Sequence, residues 1–266
     1  MSSFDVASVS TAAPLLSVRG LVKTFGNLRA VDGIDLEIFS HRITGLIGPN
    51  GAGKTTAFNL IAGSLKPAAG EISFAGERID GLTPDQVFRK GLARTFQVPK
   101  PFPQMTVLEN VMMVPANQLG ERFWNNWLIR TQVQEQERQI RERAMAALET
   151  CALAGKATEL AGRLSGGQQK LLELARVLMI DPKLILLDEP AAGVNPALLE
   201  TLVDRIVAMN RSGIAFLLIE HNMDLVMRLC DPIIVMMQGK VVVQGNAATV
   251  RDDPRVLDAY LGPAPP

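Results

Sequence analysis

Residues 43 to 55 read Ile43-Thr-Gly-Leu-Ile47-Gly48-Pro-Asn-Gly-Ala-Gly53-Lys54-Thr55, an apolar run that leads directly into a glycine-rich loop. The run predicts a buried β-strand, and the residues from about Gly53 to Ala62 predict a helix that stops at Gly63. The loop matches the G-x-x-x-x-G-K-[ST] pattern, whose backbone N–H groups approach a β-phosphate while Lys54 adds charge and the Thr55 hydroxyl ligates Mg²⁺. Strand, loop and helix together predict an α/β fold with a nucleotide phosphate site. The residues expected to bind the phosphates are Gly48, Asn50, Gly51, Gly53, Lys54, Thr55 and Thr56.

The composition narrows the class of protein. The 266 residues carry 27 Lys plus Arg and 27 Asp plus Glu, so the formal net charge at pH 7 is zero. This balance argues against a protein that holds nucleic acid by bulk electrostatics. The longest unbroken apolar run, Ile214 to Ile219, has six residues, far short of the roughly 20 that a membrane-spanning helix needs. Cys151 and Cys230 stand far apart and form no metal-ligand cluster with the two histidines, which fits a reducing compartment.

The N-terminal part of the chain predicts antiparallel strands. Leu15 to Ile38 consists of short apolar runs with turn residues at Gly26-Asn27 and Asp32-Gly33. A second, smaller hairpin is predicted between Glu71–Phe74 and Arg78-Ile79.

The pattern changes after a strand predicted at Leu92 to Phe96. Prolines 99, 101 and 103 break the chain, and Thr106-Val-Leu-Glu109 forms a capping box that opens a helical region ending near Gly162. Within that region, Gln132 to Thr150 predicts an amphipathic helix. Beyond residue 168, helices alternate with three uniformly apolar runs, as expected for strands buried on both faces of a parallel sheet. These runs are Leu184–Leu187, Ile214–Ile219 and Ile233–Met237.

The predicted organisation is one domain in several parts. Residues 1–14 are expected to form a disordered tail, and residues 15–97 and 163–266 a nucleotide-binding core with the antiparallel β-subdomain. Residues 98–162 are expected to form an inserted helical subdomain.

Two of the predicted parallel strands end in polar residues. Asp188 and Glu189 follow the run that begins at Leu184, and Glu220 and His221 follow the run that ends at Ile219. Ligands of open α/β sheets gather at such strand ends, so we expect Asp188 to hold Mg²⁺ and Glu189 to orient or deprotonate an attacking water. We expect His221 to contact a γ-phosphate. A solvated acidic turn and a surface or capping histidine are the structural alternatives.

A second glycine-rich motif, Leu164-Ser165-Gly166-Gly167-Gln168, opens a helix. Free backbone N–H groups and the positive end of a helix dipole would offer a further surface to an anion. The alternative is a helix N-cap whose glycines permit tight packing.

Together these residues resemble the ATPase subunit of ABC transporters, and the resemblance covers about Leu15 to Leu261. It implies a P-loop NTPase (RecA-like) parallel-sheet core, an N-terminal antiparallel β-subdomain and an inserted α-helical subdomain. It implies that Gln97 is the Q-loop glutamine, which meets the metal and the attacking water, and that His221 is the switch histidine. Phe25 falls where the family stacks an aromatic ring on adenine, although a core or hairpin-packing role is an alternative.

The resemblance also implies partners. Residues 164–168 match the signature motif, which in this family closes over the ATP bound by a second ATPase subunit, so Ser165, Gly166, Gly167 and Gln168 would complete the partner's site. A heterodimer is favoured and a homodimer is the alternative. The implied assembly contains two transmembrane permease subunits and, indirectly, a periplasmic substrate-binding protein, with the ATPase at the cytoplasmic face of the inner membrane.

Four stretches are similar to one branch, the ATPases of branched-chain and hydrophobic amino acid uptake. They are Arg94-Thr95-Phe96-Gln97, Pro190-Ala191-Ala192-Gly193 with Asn195-Pro196, Glu220–Met227, and Ala259-Tyr260-Leu261-Gly262. Asn195 replaces the aspartate usual in the family, which is typical of this branch, and it also suits a plain N-cap before Pro196.

Two other functions compete with this interpretation: a lipopolysaccharide-export ATPase, and a nucleotide-gated regulatory module with little turnover. As a further hypothesis, Pro99 to Met105 and the region of Trp124 and Trp127 couple the ATPase to the permease, although packing within the helical subdomain is the alternative for both tryptophans.

Overall fold

A computed structural model describes residues 13–95, 100–116, 118–119 and 130–261, with the side chains of 259–261 left out. Several predictions lie outside the described residues. They concern Gln97, the Trp124 region and, apart from its last two residues, the tail at 1–14. The described strands form two sheets, one of four and one of six strands.

The smaller sheet is the predicted antiparallel subdomain. Its strands are β1 (Leu16–Phe25), β2 (Leu28–Ile38), β4 (Ala69–Phe74) and β5 (Glu77–Arg78), in the order β2-β1-β4-β5. The turn predicted at Gly26-Asn27 joins β1 to β2, but the turn predicted at Asp32-Gly33 is wrong because both residues lie inside β2. There the pairing steps from Leu21 with Ile34 to Val22 with Asp32, which leaves Gly33, at φ +70, as the extra residue of a bulge.

The larger sheet carries the first glycine loop. Its strands are β3 (Ile43–Ile47), β6 (Leu92–Arg94), β7 (Leu184–Asp188), β8 (Ala215–Ile219), β9 (Ile233–Met237) and β10 (Lys240–Gly245), in the order β10-β9-β3-β8-β7-β6. The first five pair in parallel, as predicted, and β10 adds an antiparallel edge that the sequence analysis did not predict. Strand β6 ends at Arg94, two residues before the predicted end at Phe96, which lies outside the described residues.

Capping side chains satisfy free backbone N–H groups at the start of several helices. Thr83, Thr106 and Ser165 each form a capping box with the residue three positions on, as predicted for Thr106. The α-helices of the described residues are α1 (Lys54–Ile61), α2 (Pro84–Arg89), α3 (Val107–Met112), α4 (Arg130–Thr150), α5 (Gly166–Leu178), α6 (Pro196–Arg211), α7 (Met223–Leu229), α8 (Ala247–Arg251) and α9 (Pro254–Leu261). Among the described helices, none is long and apolar enough to cross a membrane.

The core forms two hydrophobic clusters. One joins the antiparallel sheet to α1 and includes Phe58 and Phe74. The other continues from the parallel sheet, at Phe216, through α5 into the helical insertion, where Val111 and Leu148 belong to the same cluster. The insertion therefore packs directly on α5, the helix that begins with the second glycine motif. Its limits at residues 98 and 162 stay a prediction.

Candidate nucleotide-binding and catalytic site

The carboxyl ends of β3, β7 and β8 meet at one edge of the parallel sheet. Ile219 pairs with Leu46 on one side and with Asp188 on the other. A cleft of about 560 Å³ opens at this edge and brings together many of the predicted site residues. The lining residues are Phe25, Leu28, Arg29, Ala30, Asn50, Gly51, Ala52, Gly53, Lys54, Thr55, Thr56, Glu189, Ile219, His221 and Gln238.

The glycine loop lies so close to neighbouring backbone that some of its positions have no room for a side chain. Gly48, Gly51 and Gly53 have φ of +149, +80 and +97, where residues with a Cβ are strained. A Cβ on Gly48 would lie 2.0 Å from the Met236 carbonyl oxygen, and one on Gly53 would lie 2.2 Å from that of Ala30. The loop is therefore fixed against β9 and β2, with its amides held at the cleft.

Lys54 supplies the positive charge of the loop. Its Nζ donates to the carbonyl oxygens of Gly48 at 2.7 Å and Pro49 at 3.0 Å. Burial lowers the pKa of the Lys54 ammonium from its ordinary value, and the carboxylates of Glu189 and Asp188 oppose this shift. A buried cation within a loop of amides fits the phosphate chain of a nucleotide.

The contrast between Gly48 and Gly51 provides a stability prediction. Gly48→Ala is expected to lower the free energy of unfolding by about 3 kcal/mol or more, because it combines backbone strain with a backbone overlap. Gly51→Ala has open space around the added Cβ and is expected to cost only about 1–2 kcal/mol of backbone strain. Urea denaturation without nucleotide measures both, and equal losses would contradict the proposed overlap with Met236.

Asp188 is buried at the end of β7 and is held by Arg94. The Arg94 Nη2 donates to Asp188 Oδ2 at 2.9 Å, and its Nη1 donates to Asn59. Strands β6 and β7 are neighbours, and Arg94 pairs with Leu186 in their register. This role of Arg94 was not predicted, because the adjacency of β6 and β7 is not visible in the sequence.

The oxygen donors at this edge fit Mg²⁺. Thr55 lines the cleft and Asp188 ends β7, and each side chain carries an oxygen donor. No group of three or more His, Cys, Asp and Glu side chains that could hold a metal occurs in the described part of the chain. Mg²⁺ commonly takes one or two protein oxygens and completes its octahedron with phosphate oxygens and water. The site is therefore suited to a metal that arrives with a nucleotide.

Glu189 and His221 face each other across the cleft. His221 Nε2 lies 3.1 Å from Glu189 Oε1, and the Glu189 side chain is 23% exposed. Glu189 adopts φ +49, a left-handed conformation that costs about 1–2 kcal/mol for a residue with a Cβ. Such strain concentrates at functional positions. The strained residue here, Glu189, places its carboxylate at the cleft, where it contacts His221, the predicted switch histidine.

The second glycine motif lies apart from the residues that line this cleft. Ser165 Oγ accepts from the Gln168 N–H at 3.4 Å, and Gln168 Oε1 accepts from the Ser165 N–H at 3.0 Å. Ser165 and Gly166 are exposed, and a Cβ on Gly166 would have no heavy atom within 4 Å. A Cβ on Gly167 would lie 2.3 Å from Leu198 Cδ2. Packing therefore explains Gly167, whereas it leaves Gly166 unexplained.

Phe25 and Asn195 were each given two interpretations. Phe25 is 48% exposed and lines the cleft, so it is not a core residue, and the Lys23 Nζ lies 5.3 Å from its ring centroid. Asn195 caps α6, since its Oδ1 accepts from the Leu198 N–H at 2.9 Å and Pro196 follows as the first helical residue. The N-cap interpretation of Asn195 is confirmed.

Two buried charged residues beside the site, Lys170 and Glu220, were not predicted to be functional. Lys170 of α5 and Glu220 after β8 both bond to the loop that begins at Glu189. One sequence signal could have located Lys170. It falls with Gly167, Leu171 and Leu174 on the face of α5 that is buried.

Known proteins resemble this chain over nearly its whole length. Residues 31–192 match a family model described as ABC transporter. BraF of Pseudomonas aeruginosa, a high-affinity branched-chain amino acid transport ATP-binding protein, is 41% identical over 253 residues, which cover 94% of this chain and 99% of the relative. LivG of Escherichia coli K12, which bears the same description, is 40% identical over 252 residues, again 94% and 99%.

Solved structures agree with these relatives. An ATP-binding cassette of an ABC transporter in its ADP conformation has a TM-score of 0.81 and 36% identity, covering 95% of this chain and 100% of that one. A nucleotide-free ATP-binding cassette from an ABC transporter also has a TM-score of 0.81, with 35% identity over 94% of this chain and 100% of the other.

Proposed function

The chain belongs to the ABC transporter family as an ATP-binding subunit, and from this we propose that it hydrolyses ATP to power uptake of branched-chain or other hydrophobic amino acids. The observation that carries the ATPase assignment is the contact between Glu189 and His221 at the mouth of a phosphate-loop cleft. The assignment of the transported amino acids rests on the relatives BraF and LivG, which are described as branched-chain amino acid transport proteins.

In the proposed reaction, the loop amides and Lys54 hold the phosphates. Glu189 accepts a proton from the attacking water, and His221, 3.1 Å from its carboxylate, holds that carboxylate and contacts the γ-phosphate. Thr55 and Asp188 would hold Mg²⁺, which offsets the negative charge of the phosphate oxygens when bound. Gln97 is proposed to meet the metal and the water, and Phe25 to stack on the adenine.

A second ATPase subunit is proposed to complete the site. Ser165 and Gly166 are exposed at the start of α5 and do not line the cleft of their own subunit. The Ser165 hydroxyl, the amides of Gly166 and Gly167 and the Gln168 side-chain NH₂ would bind the γ-phosphate held by the partner. The pair is proposed to be a heterodimer, with a homodimer as the alternative.

The membrane side of the assembly is proposed to contact the face that joins the parallel sheet to the helical insertion. A groove of about 190 Å³ lies on this face, lined by residues that include Phe88, Arg94, Lys100 and Arg176. It would receive a cytoplasmic helix of the permease, which would place the chain at the cytoplasmic face of the inner membrane. A periplasmic binding protein would deliver the amino acid to the two permease subunits.

Coupling through this face predicts a separation of function at Phe102. Its ring is 45% exposed and lies under the Arg176 guanidinium, 5.7 Å from the ring centroid. Phe102→Glu replaces the exposed ring, the proposed apolar contact with the permease helix, by a carboxylate and is expected to reduce transport about tenfold or more, while basal ATP hydrolysis stays near that of the wild type. Leu257→Glu, on α9 at 42% exposure, is the matched control. Unchanged transport by Phe102→Glu would contradict the coupling role.

Reconstitution tests the proposed function as a whole. The chain, purified with the membrane subunits that bind it, is placed in vesicles containing ATP and offered a panel of labelled amino acids. ATP-dependent uptake of leucine, isoleucine and valine is the expected result. Hydrolysis without uptake of any hydrophobic amino acid would contradict the assigned substrates, and absence of hydrolysis would contradict the ATPase.

A further inference from the structure

Two buried, oppositely charged side chains fasten residues 189–192, the loop that leads from β7 toward α6. Lys170 belongs to α5 and is 9% exposed, and Glu220 follows β8 and is 4% exposed. Burial of an unpaired charge is costly, so a buried ammonium or carboxylate requires partners. In both cases the partners include backbone groups of the 189–192 loop.

Lys170 directs its ammonium at three carbonyl oxygens of this loop. Nζ donates to Glu189 O at 2.9 Å, to Pro190 O at 2.9 Å and to Ala192 O at 2.7 Å. An ammonium has three N–H donors, so all of its donors can be accounted for by one short loop. Burial lowers the pKa of Lys170, and nearby carboxylates, with Glu220 first among them, oppose this shift.

Glu220 bonds to the same loop. Its Oε1 accepts from the Ala191 N–H at 2.6 Å, and its Oε2 accepts from the N–H groups of His221 at 3.1 Å and Asn222 at 3.4 Å. One carboxylate thus joins the 189–192 loop to the segment that carries His221.

The fastened loop includes the strained backbone of Glu189. At φ +49 this residue occupies a conformation that its own Cβ disfavours. Strained conformations persist only where surrounding contacts determine them. The Glu189 N–H donates to Ile219 O at 2.9 Å, and its carbonyl accepts from Lys170, so the peptide groups on both sides of the residue are held.

We propose that Lys170 is a positioning residue, which holds the 189–192 loop so that Glu189 keeps its left-handed conformation and directs its carboxylate to the cleft. The proposal rests on the proposed function, since it takes Glu189 to be the general base. Glu220 supports the same arrangement from β8.

The position of Lys170 on α5 also connects the loop to the second glycine motif. It lies five residues after Ser165 on the same helix, a rise of about 7.5 Å. A displacement of the exposed start of α5 therefore carries the Lys170 ammonium with it, and the three bonded carbonyls follow. The helix start that would contact the partner's nucleotide is thereby linked to the general base of its own subunit.

The test compares Lys170→Met with Lys156→Met in the full-length chain within the assembled transporter. Lys156 pairs with Glu159 away from the site and serves as the matched control. Lys170→Met is expected to lower kcat for MgATP hydrolysis about tenfold or more, because a misplaced base loses its alignment with the water. The Kd for ATP is expected to stay within about threefold, because Lys170 does not line the cleft. Lys170→Arg keeps the charge and several donors and is expected to retain about a third or more of kcat.

A second comparison separates positioning from a general structural role. In a Glu189→Gln background, adding Lys170→Met is expected to cause no further loss of residual hydrolysis, because groups that act as a unit are not additive. An additional loss of about tenfold, or a parallel loss of ATP affinity, would assign Lys170 a structural role and overturn the proposal.

Normal hydrolysis by Lys170→Met, with Glu189→Gln inactive, would overturn the positioning role alone. A Glu189→Gln variant with the wild-type rate would overturn the proposed general base, and the positioning role with it. Lys170→Gln is the second variant should the methionine variant fail to fold. It supplies two of the three N–H groups and is expected to lose about threefold or more of kcat at unchanged affinity, and a wild-type kcat would again overturn the proposal.

Discussion

Replacing Glu189 with glutamine is expected to lower kcat for ATP hydrolysis by about 10²–10³-fold, within the range attributed to a positioned general base. The amide has nearly the shape of the carboxylate, and its oxygen can still accept from His221. It cannot take a proton from the attacking water. The expected defect is therefore confined to the chemical step, while the loop amides and Lys54 continue to hold the phosphates.

Two measurements separate this prediction from a loss of structure. Phosphate release under saturating MgATP gives kcat, and titration with a fluorescent ATP analogue gives the Kd, which is expected to stay within about threefold of the wild-type value. Glu200→Gln is the matched control, since Glu200 pairs with Arg228 at the surface. Hydrolysis by Glu189→Gln near the wild-type rate would show that another group accepts the proton.

Much of this architecture is predictable because the relevant signals are local. The buried strand, the glycine loop and the helix start occur in one contiguous stretch, so Ile43 to Thr55 predicts β3 and the start of α1. Uniform apolar runs predicted β7, β8 and β9. The family resemblance, carried by motifs spread over the chain, is confirmed by the family model and the relatives.

What escaped prediction depends on contacts between elements distant in sequence. Asp32-Gly33 has the composition of a turn, but pairing with β1 keeps both residues inside β2, where the glycine permits a bulge. The bond from Arg94 to Asp188 requires β6 beside β7, and the three bonds of Lys170 require α5 packed against the 189–192 loop. A residue pattern predicts which face of a helix is buried, but it does not predict which element packs against that face.

Within the second glycine motif, the structure distinguishes a glycine required for packing from exposed residues that packing does not explain. Gly167 has a packing explanation, because a side chain there would meet Leu198. Ser165 and Gly166 are exposed, and the space beside Gly166 is open within the subunit. In the proposed dimer, Ser165 and Gly166 are therefore the residues that would face the partner's nucleotide.

Ser165→Asp is expected to reduce hydrolysis by the assembled transporter about a hundredfold while ATP binding by the isolated subunit stays unchanged. Aspartate is as good an N-cap as serine and suits the positive end of α5, so the helix is expected to form normally. In the proposed dimer, however, the new carboxylate faces the γ-phosphate held by the partner. Two like charges about 4–5 Å apart at an effective dielectric of about 20 repel by about 3–4 kcal/mol, and a hundredfold loss requires about 2.8 kcal/mol of this repulsion.

Ser165→Asn isolates the charge. Asparagine has nearly the same size as aspartate and caps helices equally well, but it is neutral, so hydrolysis is expected to remain within about tenfold of the wild-type rate. Thermal unfolding of both variants checks the cap. Equal activity of the aspartate and asparagine variants would contradict a phosphate opposite Ser165. Weaker ATP binding by the isolated aspartate subunit would place that phosphate in the same chain, because only a nucleotide bound by the partner leaves the lone subunit's affinity untouched.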